Sequence, residues 1–185
     1  MDHSSSFPVD VMKPVVAGQF YPSDPAELSR NIRRFLEEAD IEPARKPVLV
    51  ILSPHAGYVF SGSVAGISFR HVQDQNPDTV FLIALSHRYP LEGGCVFAGK
   101  SFETPLGLLP VDLELIQELL AGGRPVYADS TPYMTEHSVE VNLPFVQTVF
   151  PQAKIASMLV SRTDLVLCRE LGTIIAKTLR KLSSK

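Results

Sequence analysis

Three of the five histidines in this chain stand just beyond apolar runs or between structured segments, where side chains are free to do chemistry. His55 lies three residues past the run Val48–Leu52, in Ser53-Pro54-His55-Ala56-Gly57-Tyr58. His87 lies two residues past the run Thr79–Leu85, in Ser86-His87-Arg88. His137 sits in Glu136-His137-Ser138, ahead of a helical pattern. Neutral imidazoles ligate transition metals and transfer protons near neutral pH. If the two apolar runs are parallel strands, both of their histidines leave the sheet at its carboxyl edge, where open α/β sheets place ligands. This predicts a shared cleft in which His55 and His87 serve as metal ligands or as proton-transfer groups. His137 can reach the same edge as a further ligand or a proton-transfer group. Tyr58 and Arg88 stand beside two of the histidines and are placed to orient a substrate.

Other residues of chemical interest read more plainly. His3 belongs to a polar Ser-rich stretch, and His71 to a helix surface. Glu136 and Glu140 are four apart at a helix start, where acids stabilise the macrodipole. Ser61 reads as an N-cap. Cys95 and Cys168 read as packing residues, because two cysteines make neither a disulfide framework nor a CxxC site. There is no Walker A, GxGxxG or GxSxG pattern, so neither a nucleotide site nor a hydrolase elbow is indicated.

The elements that must position these groups follow from local pattern. Asp24-Pro25-Ala26-Glu27 supplies a cap acid, a first-turn proline and an acid at the third position. Leu28, Ile32, Phe35, Leu36 and Ala39 continue at helical spacing. Val48–Leu52 is β-branched and apolar throughout, as expected of a central parallel strand covered on both faces. A helix from Ser61 to about Gln73 and a buried strand Thr79–Leu85 complete a strand–helix–strand crossover. Shorter strands are expected at Gly93–Ala98, Leu106–Val111 and Pro125–Ala128. Asp112 caps a helix that runs to Ala121 and stops at Gly122-Gly123. Ser138–Phe150 reads as a helix broken near Pro144. Ile155–Val160 reads as a strand. A last helix opens at Thr163 or Asp164. This alternation defines a three-layer α/β sandwich with a mostly parallel central sheet. Residues 1–12 read as a flexible leader and 13–185 as a single domain.

Composition narrows the function classes. With 185 residues, 45% of them hydrophobic, the chain can bury one core and is not a disordered segment. Its net charge of −3 gives no electrostatic support for nucleic-acid binding. The apolar runs are too short to span a bilayer, and no apolar signal segment opens the chain. The expected setting is a reducing cytoplasm.

Several blocks, taken in order, resemble the Memo-like family. They are Pro14-Val15-Val16-Ala17-Gly18-Gln19-Phe20-Tyr21-Pro22, Pro54-His55-Ala56-Gly57-Tyr58-Val59-Phe60-Ser61-Gly62 and Ser86-His87-Arg88. Thr104-Pro105-Leu106-Gly107 with Pro110-Val111-Asp112, and Glu136-His137-Ser138-Val139-Glu140 with Leu143-Pro144-Phe145, complete the set. The resemblance implies a fold related to class III extradiol dioxygenases, with His55 and His87 as metal ligands and His137 lining the same cleft. It implies Fe(II) or Cu as the metal. It further implies a dioxygenase-like oxidoreductase with a small-molecule or peptide ligand; the alternative is a non-catalytic adaptor module whose same cleft captures a peptide or partner. In prokaryotes such proteins belong to the AmmeMemoRadiSam system with a radical-SAM partner. The family's C-terminal part, with an Asp-Phe-Ser-His stretch and a third ligand (Cys in Memo proteins, Glu in the dioxygenases), has no counterpart here. The resemblance therefore implies a C-terminally incomplete domain. Its uncovered sheet edge invites pairing with a second copy.

Overall fold

The structure, a computed structural model, describes residues 9–161 and 164–183. Helix α1 spans Pro25–Glu37. The Asp24 carboxylate accepts the Glu27 N–H at 2.7 Å, and Leu28, Ile32 and Phe35 face the core. Helix α2, Tyr58–Arg70, packs closely on α1. Glycines permit that approach. A Cβ at Gly62 would lie 2.4 Å from the Phe35 ring, and one at Gly66 would lie 2.4 Å from the Phe35 carbonyl oxygen.

Strands β2 (Thr79–Leu85), β3 (Gly94–Val96), β6 (Val126–Ala128) and β7 (Lys154–Val160) form a sheet in the order β2-β7-β3-β6. β2 runs parallel to β7 from Thr79↔Lys154 to Leu85↔Val160, and β3 runs parallel to β6. β3 and β7 are antiparallel. Ile155, Ala156, Met158 and Leu159 of β7 are fully buried, as an interior strand requires. A second sheet joins β1 (Val11–Met12), β4 (Ser101–Thr104) and β5 (Gly107–Pro110). Helices α3 (Leu113–Ala121) and α5 (Leu165–Ser183) pack together, while α4 (Leu143–Val149) packs with α1 and α2. The result is the expected α/β sandwich, with two sheets and five α-helices among the described residues. None of those helices is long and apolar enough to cross a membrane.

Several expectations are corrected. Val48–Leu52 is not a buried strand: Leu49 is 94% exposed and Leu52 90%. The reason is the lack of a ladder partner. Among the described residues β2 pairs with β7 alone, and segment 48–52 packs on the core through Val48 and Ile51 and is hydrogen-bonded at its ends. The Val48 N–H donates to the Gln75 side chain, and the Leu52 carbonyl accepts the Ser68 hydroxyl. The strand–helix–strand crossover is therefore not formed as paired strands, and β2 is a half-exposed edge with Ile83 and Leu85 open. Ser61 does not cap α2. The helix starts three residues earlier, after Gly57, and the Ser61 hydroxyl donates back to the Ala56 carbonyl at 3.0 Å. Pro144 sits in the first turn of α4, where its missing N–H costs nothing, so it starts a helix instead of breaking one. Cys168 is exposed, and α5 buries Leu167 and Leu171 instead. β4 is a strand that local pattern does not announce. Within the expected leader, Val11–Met12 pairs with β4 and Met12 is buried, while residues 1–8, with His3, lie outside the described residues. Thr163 also lies outside them.

Candidate metal centre

Three loops carry the histidines, and side-chain bonds stitch those loops together. At the end of β2 the Ser86 N–H donates to the Val160 carbonyl, which turns His87 off the sheet. The Ser138 hydroxyl donates to the Leu85 carbonyl at 2.7 Å, clamping the 136–138 loop to the end of β2. Asn142 accepts the Ser53 hydroxyl at 2.6 Å and donates to the Pro54 carbonyl at 3.3 Å, which brings in the loop that bears His55. The ring centroids of His55 and His87 are 5.2 Å apart, those of His87 and His137 5.0 Å, and those of His55 and His137 6.0 Å. His87 and His137 stack with only 15° between their planes.

Glu136 orders this group. It is 5% exposed, and burial alone would push its carboxyl up. Hydrogen bonds outweigh that cost and hold it down at about 2, led by those from His87. Oε2 accepts the His87 backbone N–H at 2.6 Å. Oε1 accepts the backbone N–H groups of His137 at 2.8 Å and Ser138 at 3.0 Å, and it also faces His87 Nδ1 at 3.0 Å. An ionised carboxylate only accepts, so the proton of His87 sits on Nδ1 and the Nε2 lone pair is left free.

His55 and His137 are both held below the ordinary imidazole range. Burial is the largest cause for each, and the neighbouring imidazoles act in the same direction. Both are therefore neutral at neutral pH, the form that binds metal. The Nδ1 atom of His137 is buried without a hydrogen-bond partner. An orphaned buried nitrogen of this kind is costly unless something completes its valence. His87, Glu136 and His137 each bring a ligand-type atom within 4.8 Å of the others. Imidazole nitrogens oriented by a neighbouring carboxylate suit Fe, Cu or Zn.

The structure brings His55, His87 and His137 together. Arg88 is exposed beside them and bears electrostatically on His137. Tyr58 is turned away. It is buried, its hydroxyl donates to the Val141 carbonyl at 3.0 Å, and its ring packs on Phe145. Sequence reasoning gave Glu136 only a helix-dipole role and assigned no role to Phe20, whose ring lies 4.7 Å from that of His137. The usable signal for Glu136 was its adjacency to His137.

An α/β sandwich that gathers imidazoles and a buried carboxylate at the end of a sheet defines a candidate metal-binding protein. The profile of the family described as Memo-like protein matches residues 12–185, and the chain belongs to that family. A MEMO1 family protein of Ignicoccus hospitalis is 39% identical over 149 residues, covering 76% of this chain and 52% of that protein. One from Pyrobaculum aerophilum is 36% identical over 183 residues, covering 95% and 65%. One from Nitrosopumilus maritimus is 30% identical over 172 residues, covering 90% and 62%. The chain thus spans less than two thirds of the length of these relatives.

Proposed function

We propose that this cleft is a transition-metal centre for Fe(II) or Cu, held by His55, His87 and His137, and that it serves an oxidoreductase reaction of the extradiol-dioxygenase kind. The observation that carries the reading is the convergence of three imidazoles around one buried, ionised Glu136. The metal would supply Lewis acidity and one-electron redox chemistry. The protein's own residues do the rest. Glu136 keeps the His87 proton on Nδ1 and the ring in place. The Phe20 ring shields one side of His137 from water. Arg88, at the open rim, attracts an anionic substrate. The reading places the whole of residues 13–185 in one domain, and it extends the family's prokaryotic setting to this chain, with a radical-SAM protein as partner in the cytoplasm.

Anaerobic reconstitution with Fe(II) or Cu(I), followed by elemental analysis, tests the centre. About one ion per chain is expected. Metal retained undiminished after changing both His55 and His87 to Ala would overturn the assignment. Oxygen uptake with a panel of catechols then separates a redox enzyme from a cleft that only captures a ligand.

A further inference from the structure

The strongest buried polar knot outside the imidazole cluster is built on Glu140. Glu140 is 7% exposed, and its carboxylate is bonded to the segment 15–21. Oε2 accepts the Val15 N–H at 2.7 Å. Oε1 accepts the Val16 N–H at 3.0 Å and the Tyr21 hydroxyl at 2.6 Å. The segment between these anchors is a compact loop. The Phe20 and Gln19 N–H groups return to the Val16 carbonyl, and the Gly18 N–H reaches the Tyr21 carbonyl at 2.8 Å. Gly18 takes φ +79°, which a side chain would strain.

Two contacts carry this loop to the site. The Phe20 carbonyl accepts the Tyr58 N–H at 2.7 Å, fixing the first turn of α2 just past His55. The Phe20 ring stands 4.7 Å from the His137 ring. Phe20 lies between Val16 and Tyr21, both held by the same carboxylate, so its position follows from theirs. We infer that Glu140 is a positioning residue that acts through Phe20, holding the 15–21 loop as the apolar wall of the histidine cluster. The group must be acceptor-only, because three donors converge on it. An amide in its place has one oxygen and would turn its NH2 toward an N–H or O–H donor. The inference deepens the metal-centre reading and rests on it for affinity, though not for geometry.

The test uses the 185-residue chain as wild type, Glu140→Gln, Phe20→Ala and the double variant. Co(II) affinity is read from the visible absorption of the bound ion. Each single change is expected to weaken Co(II) binding about tenfold or more, in line with the loss of outer-shell support. The double variant is expected to be no weaker than Phe20→Ala alone, because both act on one wall. Losses that multiply would overturn the inference. So would an unchanged affinity in Glu140→Gln. A second arm needs no metal. The wild-type protein should show a nuclear Overhauser contact between the Phe20 and His137 rings, and Glu140→Gln should lose it. A contact that persists in the variant overturns the inference. If wild type binds no Co(II), the metal reading fails and this second arm still decides the role of Glu140. If Glu140→Gln does not fold, Tyr21→Phe replaces it. That change removes one of three bonds and should weaken both readouts about threefold; no change in either would overturn the inference.

Discussion

Replacing Glu136 by Gln removes one charge at constant shape, and the structure says what that charge does. The carboxylate is buried and accepts the backbone N–H groups of His87, His137 and Ser138 as well as His87 Nδ1. Those bonds lower its pKa from the ordinary 4.5 to about 2, although burial acts the other way. A difference of that size corresponds to about 3 kcal/mol of preference for the ionised form, an upper figure because outward relaxation recovers part of it. The folded-state pKa lies below the unfolded value. The stabilisation is therefore fully present above pH 4.5 and is lost as pH falls from there toward 2. Urea denaturation at pH 7 should show Glu136→Gln less stable than wild type by about 2–3 kcal/mol. The gap should close progressively below pH 4.5. A gap that stays constant from neutral to acidic pH would show that shape, not charge, holds the loops. His87 would then not be held in place by the Glu136 charge. Metal affinity gives a second readout, with a loss of about 10–100-fold expected for a carboxylate that orients a ligating imidazole.

Further outcomes follow from packing. Tyr58→Phe deletes a hydroxyl that bonds the Val141 carbonyl in the core, so it should cost about 1 kcal/mol of stability in denaturant melts and leave Co(II) affinity unchanged. Gly66→Ala would put a Cβ 2.4 Å from the Phe35 carbonyl oxygen, and thermal melts should show a loss of about 1–3 kcal/mol as α1 and α2 are forced apart. Leu52→Ala, on the exposed segment 48–52, should change stability by less than about 0.5 kcal/mol, whereas Leu28→Ala in the core should cost about 2–5 kcal/mol. Equal and large losses at both leucines in urea melts would show that segment 48–52 is covered in solution.

Which features are legible in the sequence depends on how far away the partner is. Asp24 and Asp112 cap helices whose N–H donors lie three residues ahead, so local spacing suffices to find them. β2 and β7 are predominantly apolar runs, and they stand out for the same local reason. The run Val48–Leu52 has an equally strong pattern and yet no strand forms, because a strand needs a neighbour to hydrogen-bond with and local apolarity cannot supply one. β4 shows the converse: Ser101-Phe102-Glu103-Thr104 is short and mixed, and it becomes a strand because β1 and β5 lie on either side. The site depends on distant partners throughout. Glu136 and Glu140 look alike in sequence, four residues apart at a helix start. Their roles are set by donors 49 and 125 residues away, at His87 and Val15. The nearness of His55 and His87 was expected from a paired crossover. The crossover is absent, but the rings are still 5.2 Å apart. The 136–142 segment does the joining: Ser138 grips the end of β2 and Asn142 grips Ser53 and Pro54. The Glu-His-Ser block is thus more than a source of one imidazole. It is the bracket that holds the other two in reach, and damage to Ser138 or Asn142 should scatter histidines that neither residue touches.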